Sequence, residues 1–234
     1  MEIELKYKIP TEAVAADIWK DKIFSDMEEE DSREEVCLDA RYYDTCHCDL
    51  SKKQIAYRIR KEGERWVAAL KCNGTNEGAL HKRIEISVPV IDGTPDPSVF
   101  SESEMGEELM EVLGDEKVEC VLETRFHRKR FRIDTGTGIF ELSVDKGVIL
   151  TNYGEEPIFE VELELFSGET EELVELGEQL QEKYGLEVQE LSKYARGIEL
   201  IKKGKREAKE AAAAGSEQAA QYHSARSKSL KYGT

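Results

Sequence analysis

The 234-residue chain is long enough for one domain with a single hydrophobic core and a tail, and it is too short for two full domains. With 39% hydrophobic and 35% charged residues it has a globular composition, and it lacks the roughly 18-residue apolar run that a membrane-spanning helix needs. The net charge of −17 argues against a general binder of nucleic acids or anionic membranes, because like charges repel. An anionic ligand therefore needs a local pocket of basic side chains.

The N-terminus and the cysteines bear on location and chemistry. An alternating strand pattern begins directly after Met1, which leaves no room for the basic and apolar segments of a signal peptide, so we expect a cytoplasmic protein. Five cysteines at irregular spacing do not fit a disulfide framework. Cys46-His47-Cys48 lacks a second ligand pair at zinc-site spacing, and we interpret it as an ordinary loop.

The first half of the chain predicts a strand, a helix and then a run of short strands. Strict alternation over 2–9 predicts a strand that Pro10 ends. Apolar residues at helical spacing over 11–30 predict an amphipathic helix with Thr11 as its N-cap. Alternating runs separated by glycine-containing turns then predict antiparallel β-structure. These strands are expected at 37–44, 54–61, 65–72 and 81–90.

The second half continues the same mixture of helices and strands. A helix is expected near 101–114, and three strands follow it. The strands are expected at 118–134, 138–145 and 157–166, and two further helices at 169–184 and 190–203. From Lys205 the composition changes to Ala, Lys, Gln, Ser and Gly without a strong apolar stripe. We therefore expect a domain at 1–204 and a mobile or partly helical tail at 205–234.

Charged side chains repeat on one face of nearly every predicted strand. Glu160, Glu162 and Glu164 alternate with apolar residues, so they share a face at a spacing of about 7 Å and need metal ions or basic partners to offset their repulsion. An ordinary solvent-exposed face also alternates, but here basic and acidic residues occur in nearly equal numbers on strand after strand. The basic residues of this face are Lys6, Lys8, Arg58, Arg60, Lys71, Arg83, Arg128, Arg130 and Arg132, and the acidic residues are Glu2, Glu4, Glu85, Glu141, Asp145, Glu160, Glu162 and Glu164.

Such a face fits the inside of a closed barrel whose apolar outer side is covered by helices. Arginine and lysine bind phosphate oxygens, whereas clustered carboxylates bind hard divalent cations such as Mg²⁺ or Mn²⁺. A divalent cation can also activate water as a nucleophile. The pattern therefore indicates a cavity that binds polyphosphate together with metal ions.

The residues of this face resemble the CYTH, or triphosphate tunnel metalloenzyme, superfamily. Glu2-Ile3-Glu4-Leu5-Lys6 resembles its Glu-x-Glu-x-Lys signature at the start of the first strand. The further matches, in the order of the family, are Arg58-Ile59-Arg60, Lys71, Arg83-x-Glu85, the arginines up to Arg132, Asp145-x-Gly147, Glu160-x-Glu162-x-Glu164 and Ser192-Lys193. The resemblance covers about residues 1–200 and is greatest to the bacterial inorganic triphosphatase branch. It implies an α+β fold, a closed eight-stranded antiparallel β-barrel, or tunnel, with a charged interior and flanking helices.

The resemblance also implies roles for individual residues. The implied metal ligands are Glu2, Glu4, Asp145, Glu160, Glu162 and Glu164, for two Mg²⁺ or Mn²⁺ ions. The implied substrate contacts are Lys6, Arg58, Arg60, Lys71, Arg83, Arg128, Arg130, Arg132 and Lys193, although the arginines at 128, 130 and 132 do not align uniquely. The implied catalytic set is Glu2, Glu4, Lys6, Lys71 and Glu85.

The function that the resemblance implies is metal-dependent hydrolysis of a triphosphate, with inorganic tripolyphosphate as the expected substrate. A class IV adenylate cyclase, a thiamine triphosphatase and a non-catalytic polyphosphate or nucleotide binder stay open as alternatives. A cyclase needs a base pocket, for which Tyr42, Tyr43 and Tyr57 are candidates, although core or rim packing explains them more simply. We expect a small-molecule triphosphate as the partner, no nucleic acid or membrane, and a monomer or homodimer.

Overall fold

The computed structural model describes residues 1–229, without the side chains of Asn73 and of 214–229. Within that part of the chain, nine strands form one antiparallel sheet. They are β1 (Glu2–Lys8), β2 (Glu34–Asp44), β3 (Ala56–Glu62), β4 (Arg65–Glu77), β5 (Leu80–Val90), β6 (Glu119–Asp134), β7 (Ile139–Thr151), β8 (Gly154–Ser167) and β9 (Glu187–Val188). The alternation of side chains along the long strands matches the two faces expected from the sequence.

The sheet closes into a barrel through the first strand. The strand order is β5-β4-β3-β2-β6-β7-β8-β1-β9, and β1 also pairs with β5. β5 pairs with Glu2–Leu5, whereas β9 pairs with only Tyr7 and Lys8 at the other end of the strand. Eight strands therefore form the closed barrel and β9 is an addition at its edge, which confirms the predicted fold.

Helices cover the outside of the barrel and one of its ends. They are α1 (Glu12–Trp19), α2 (Lys22–Ser25), α3 (Asp49–Lys52), α4 (Glu104–Leu113), α5 (Thr170–Tyr184) and α6 (Lys193–Ser229), with a 3₁₀ turn at Pro97–Phe100. Thr11 caps α1 by accepting a hydrogen bond from the Val14 amide at 3.2 Å, as its side chain predicts. No helix in residues 1–229 has both the length and the apolar character needed to cross a membrane.

Two apolar layers lie between the helices and the outer face of the barrel. One joins α1, α2 and α5 to β1, β7 and β8 around the fully buried Phe140 and Leu173. The other joins α3, α4 and the 3₁₀ turn to β3 and β4 around Tyr57 and Leu109. Burial of these large side chains on the outer face leaves the opposite face of each strand free to carry charge.

A third apolar cluster lies inside the barrel at one end. Ile149 and Ile158 are on the same strand faces as the buried Asp145 and Glu160, and they pack with Ile201 and the partly buried Ile198 of α6. The helix expected only as a flanking element thus closes this end of the barrel. The charged cavity occupies the remaining interior.

Several predicted boundaries change in the structure. The helix expected over 11–30 is broken after Trp19, because Asp21 caps a separate α2 by accepting a hydrogen bond from the Ile23 amide. The helix expected over 190–203 begins at Lys193 and continues to Ser229, so no break in secondary structure marks residue 204. The division into a domain at 1–204 and a tail at 205–234 stays a prediction, and residues 230–234 lie outside the described part.

Substitution of Gly147 by alanine should destabilise the barrel. Gly147 of β7 lies opposite Phe126 of β6, where an added Cβ would be 2.1 Å from the Arg125 carbonyl oxygen and 2.5 Å from the Phe126 Cα. Because both atoms belong to the backbone, we expect Gly147→Ala to lower the free energy of unfolding by about 2 kcal/mol or more in urea titrations.

Gly74→Ala is the matched control in another strand. Its added Cβ would come no closer than 3.9 Å to a heavy atom, so we expect a change of less than about 0.5 kcal/mol. Equal effects of the two substitutions would contradict the proposed close approach of β6 to Gly147.

Candidate active site

A cavity of about 210 Å³ lies inside the barrel, and ionisable side chains form most of its wall. Strand alternation directs these side chains inward from β1, β3, β4, β5, β6, β7 and β8, and α6 contributes from the closed end. The residues singled out from the sequence that line it are Glu2, Glu4, Lys6, Arg58, Arg60, Lys71, Arg83, Glu85, Arg128, Arg130, Glu162, Glu164 and Lys193. One cavity therefore holds most of the predicted site.

Asp145, Glu160 and Glu162 form a compact cluster, which we call the β7–β8 carboxylates; Glu162 lines the cavity, and Asp145 and Glu160 are buried behind its wall. One oxygen of each lies within 4.8 Å of the others, and all three residues are buried. The register of the sheet produces this cluster, because Asp145 of β7 pairs directly with Glu160 of β8 and Glu162 is the next residue on the same face. Repulsion at this spacing demands compensating positive charge.

Basic side chains supply that charge from three directions. Lys193 Nζ lies 2.7 Å from Asp145, 2.5 Å from Glu160 and 2.9 Å from Glu162. Arg128 donates two hydrogen bonds of 2.7 Å to Asp145 and another to Glu162, which also accepts from Lys6. Burial alone raises the pKa of Glu162, but attraction to Lys193, Lys6 and Arg128 lowers that pKa well below its ordinary value.

Glu2 and Glu4, the β1 carboxylates, have further basic partners besides Lys6, which Glu4 shares with Glu162. Arg83 pairs with both, and Lys71 Nζ lies 2.7 Å from Glu2 and 2.6 Å from Glu85. Burial acts to raise the pKa of Glu85, but attraction to Lys71 and Arg58 lowers it to about 2. Glu85 therefore carries a charge that holds the ammonium of Lys71 in the cavity wall.

Glu164 differs from the other cavity carboxylates because none of the basic side chains that the structure describes, up to residue 213, forms an ion pair with it. Burial, followed by repulsion from Glu2 and Glu4, raises its pKa to about 7. Its backbone is directly opposite Glu4 in the β1–β8 register. This end of the cavity therefore has more carboxylate than its basic partners neutralise.

The opposite wall of the cavity is basic. Arg58 and Arg60 of β3 and Arg128 and Arg130 of β6 line it from the two strands that flank β2. Burial and then repulsion from Arg58 lower the pKa of Arg60 to about 10, even though Glu62 pairs with it. An anion placed between these guanidinium groups would relieve their repulsion, so this wall suits phosphate oxygens.

Arg132 and Lys8 lie outside the cavity although they share the charged strand faces. The side chains of Arg128, Arg130 and Arg132 are 12%, 33% and 53% exposed, because each step of two residues moves the side chain about 7 Å toward the barrel mouth. The Arg132 guanidinium lies 3.8 Å from Glu29, over the Phe166 ring. Arg128, not Arg132, contacts the β7–β8 carboxylates. The prediction that Lys8 faces the interior was wrong, because its side chain is 51% exposed and does not line the cavity.

The sequence reasoning missed Arg196, which is buried beside the site. It donates hydrogen bonds of 2.6 Å to Glu160 and Glu156 and another to the Pro157 carbonyl oxygen. Its position three residues after Lys193 places both on one face of α6, and this spacing is the signal that would have identified it. Glu141 was on the charged face without an assigned role, and it lines the cavity 3.7 Å from Arg130.

The carboxylates fit a hard divalent cation. Mg²⁺ and Mn²⁺ prefer carboxylate oxygens, and the β7–β8 carboxylates offer three within 4.8 Å of one another. The poorly neutralised Glu164 beside the β1 carboxylates adds a second location where positive charge is favoured. The donor chemistry of the cavity is therefore that of a metal centre next to a phosphate-binding wall.

The raised pKa of Glu164 predicts a pH dependence of stability in metal-free buffer containing a chelator. Between the ordinary pKa of 4.5 and the folded-state value of about 7, the folded protein binds a proton that the unfolded chain does not. Ionisation of Glu164 thus lowers stability as the pH rises through this window. Urea titrations should show that Glu164→Gln stabilises the protein more at pH 8 than at pH 5, and an equal effect at both would contradict the proposed repulsion.

Comparisons with known proteins place the chain in a family. The CYTH domain matches residues 1–198. An inorganic triphosphatase of Haemophilus influenzae is 30% identical over 157 residues, which cover 67% of this chain and 44% of that protein. The chain therefore spans less than half the length of this curated relative.

Two solved structures share the fold. A Hippeastrum protein, described as a proposed adenylyl cyclase with a dominant triphosphatase activity, aligns over 85% of this chain and 96% of its own at a TM-score of 0.65 and 20% identity. A proposed adenylate cyclase of Bacillus halodurans aligns over 82% and 94% at a TM-score of 0.53 and 18% identity. Because the CYTH match extends over residues 1–198 and these structures have the same architecture, the chain belongs to the CYTH domain family.

Proposed function

We propose that the protein hydrolyses a triphosphate, with inorganic tripolyphosphate as its substrate and Mg²⁺ or Mn²⁺ bound to its carboxylates. The observation that carries this proposal is the meeting of a basic wall and a carboxylate cluster in one cavity of about 210 Å³. The name of the Haemophilus influenzae relative, inorganic triphosphatase, supports the choice of substrate. A cavity with charges of both signs is suited to a polyanion that brings metal ions with it.

The basic residues bind and orient the phosphates. Arg58, Arg60, Arg128 and Arg130 present planar guanidinium groups that match pairs of phosphate oxygens. Lys71 and Arg83 add charge on the side of the β1 carboxylates. Fixed donors of this kind stabilise the charge that develops on the departing diphosphate without reorganising during the reaction.

The carboxylates hold the metal ions. The β7–β8 carboxylates and the β1 carboxylates, with Glu164, form the proposed ligand set for two ions. A divalent cation, when bound, neutralises phosphate charge and lowers the pKa of a coordinated water. Lys6 contacts Glu4 and Glu162 together and so fixes the two carboxylate groups relative to each other.

Two of the three tyrosines considered for a cyclase base pocket lie outside the cavity. Tyr43 and Tyr57 pack against each other at 5.6 Å, and Tyr57 packs against Phe100 at 6.0 Å, in the apolar layer outside the barrel. Their positions support the interpretation of Tyr43 and Tyr57 as packing residues. Of these three tyrosines, Tyr42 is the one that lines the cavity. Its ring stacks there on Tyr194, with the ring centroids 5.2 Å apart. These positions favour hydrolysis over cyclisation of ATP.

A substrate panel tests the proposal. We expect the purified protein to release phosphate from tripolyphosphate with Mg²⁺ or Mn²⁺ faster than from ATP or thiamine triphosphate, and to form no cyclic AMP from ATP. Faster hydrolysis of thiamine triphosphate than of tripolyphosphate would instead indicate a thiamine triphosphatase. Cyclic AMP formation, or tight binding of tripolyphosphate without cleavage, would contradict the proposed reaction.

Removal of a single carboxylate charge should abolish most of the activity. We expect Glu4→Gln and Glu162→Gln each to lower the rate of tripolyphosphate hydrolysis by more than about 100-fold, because each removes a proposed metal ligand. Circular dichroism should show the same fold as the wild type. Glu187→Gln, which alters an exposed residue paired with Lys8, is the control and should retain full activity.

Lys6 and Lys8 form a matched pair on one strand. Lys6 is buried between Glu4 and Glu162, whereas the Lys8 side chain is 51% exposed outside the cavity. We expect Lys6→Met to lower kcat/KM for tripolyphosphate by about 100-fold and Lys8→Met to leave it within about twofold. Thermal unfolding of both variants separates a loss of fold from a loss of catalysis, and similar kcat/KM values for the two folded variants would be the contrary result.

A further inference from the structure

The ammonium of Lys193 lies at the centre of the proposed metal site. Its Nζ is 2.5–2.9 Å from one oxygen of each of the three β7–β8 carboxylates, the residues whose oxygens come close enough to share an ion. The side chain is buried and also lines the cavity that faces the phosphates. The Lys193 ammonium can therefore contact either the carboxylates or a phosphate. It cannot contact the carboxylates while their oxygens hold a metal ion.

The charge around this cluster disfavours a free metal ion. The three β7–β8 carboxylates contact four cations, which are Lys6, Arg128, Lys193 and Arg196. No net negative charge remains there to attract a dication. A metal ion gains strong coordination only if one of these cations leaves the carboxylate oxygens.

Lys193 is the cation whose departure frees the most oxygens, because it contacts all three carboxylates, whereas Lys6 contacts only Glu162 among them. Arg128 holds Asp145 through two hydrogen bonds, and Arg196 is fixed by Glu156 and the Pro157 carbonyl oxygen as well as by Glu160. The Lys193 ammonium is a single charged atom on a flexible stem. The backbone at Lys193 is fixed by the neighbouring Tyr194. The Tyr194 ring stacks on Tyr42, and the Tyr194 hydroxyl lies 2.8 Å from Ser51 Oγ. The side chain can therefore turn without movement of α6.

We propose that Lys193 is an exchangeable internal cation that excludes free divalent metal from the β7–β8 carboxylates until a triphosphate draws its ammonium away. The metal then enters together with the triphosphate, as the complex that the two form in solution. This second part rests on the proposed function. Because coupling between two ligands is reciprocal, the triphosphate strengthens metal binding by the same factor by which the metal strengthens triphosphate binding.

The test measures Mn²⁺ binding to the 234-residue protein by electron paramagnetic resonance, with no phosphate compound present. In wild type the Lys193 ammonium competes for the oxygens, so Mn²⁺ should bind weakly. Lys193→Met removes the competitor while keeping an unbranched side chain, and we expect its Mn²⁺ affinity to rise by about 10-fold or more. Lys193→Arg, which keeps the charge, should bind Mn²⁺ as weakly as wild type.

Arg60→Met is the matched control. It also removes one partly buried positive charge from the cavity wall, but Arg60 pairs with Glu62 and contacts none of the β7–β8 carboxylates. We expect its Mn²⁺ affinity to rise by less than about threefold, the part that long-range repulsion explains. Equal gains in Mn²⁺ affinity in the Arg60 and Lys193 variants would indicate a general electrostatic effect. That result would overturn the proposed exchange.

Unchanged or weaker Mn²⁺ binding by Lys193→Met would also overturn the proposal. If that variant does not fold, a titration of Glu164→Gln, which weakens the second proposed metal location, decides the question, because micromolar Mn²⁺ affinity of that variant without triphosphate is incompatible with an occupied cluster. None of these measurements needs turnover. A protein that hydrolyses no triphosphate would refute the proposed function and leave the result on Lys193 standing.

Discussion

Pairing of opposite charges inside a closed barrel is the constraint on which the rest of this structure depends. Charges removed from water are costly unless each finds a partner at close range. Eight basic residues line the cavity, and six lining carboxylates together with the buried Asp145 and Glu160 match them in number. Lys6 links the carboxylates of β1 and β8, so the strand that closes the barrel also joins the two halves of the charged wall.

The inward face of each strand could be predicted from the sequence because the side-chain period of a strand is fixed at two. The alternation over 159–165 placed three carboxylates on one side, and Glu160, Glu162 and Glu164 all lie inside the barrel. Periodicity does not report the depth of a residue along the barrel. Lys8 has the correct parity, but it lies at the end of β1, where β9 replaces β5 as the neighbour, and its side chain reaches solvent.

Tertiary contacts decided the features that the sequence could not supply. The helix expected over 11–30 begins where the spacing predicts, but the buried Asp21 accepts hydrogen bonds from Lys183 and Tyr184 of α5 and caps a separate second helix. The role of α6 was equally hidden, because Ile198 and Ile201 pack on residues distant in sequence. A short apolar helix stripe does not reveal whether it covers the outside of a barrel or closes its end.

The separation of charge between the interior and the remainder of the chain has a consequence for the rate of ligand entry. Since the charges of the cavity nearly cancel, the net charge of −17 belongs to the other residues and sets a repulsive field for approaching polyanions. Free tripolyphosphate meets this barrier in full, whereas its complex with a divalent cation carries less negative charge. The association rate of the free polyanion should therefore increase as added salt screens the field. At low ionic strength, the metal complex should associate faster than the free polyanion because it is repelled less.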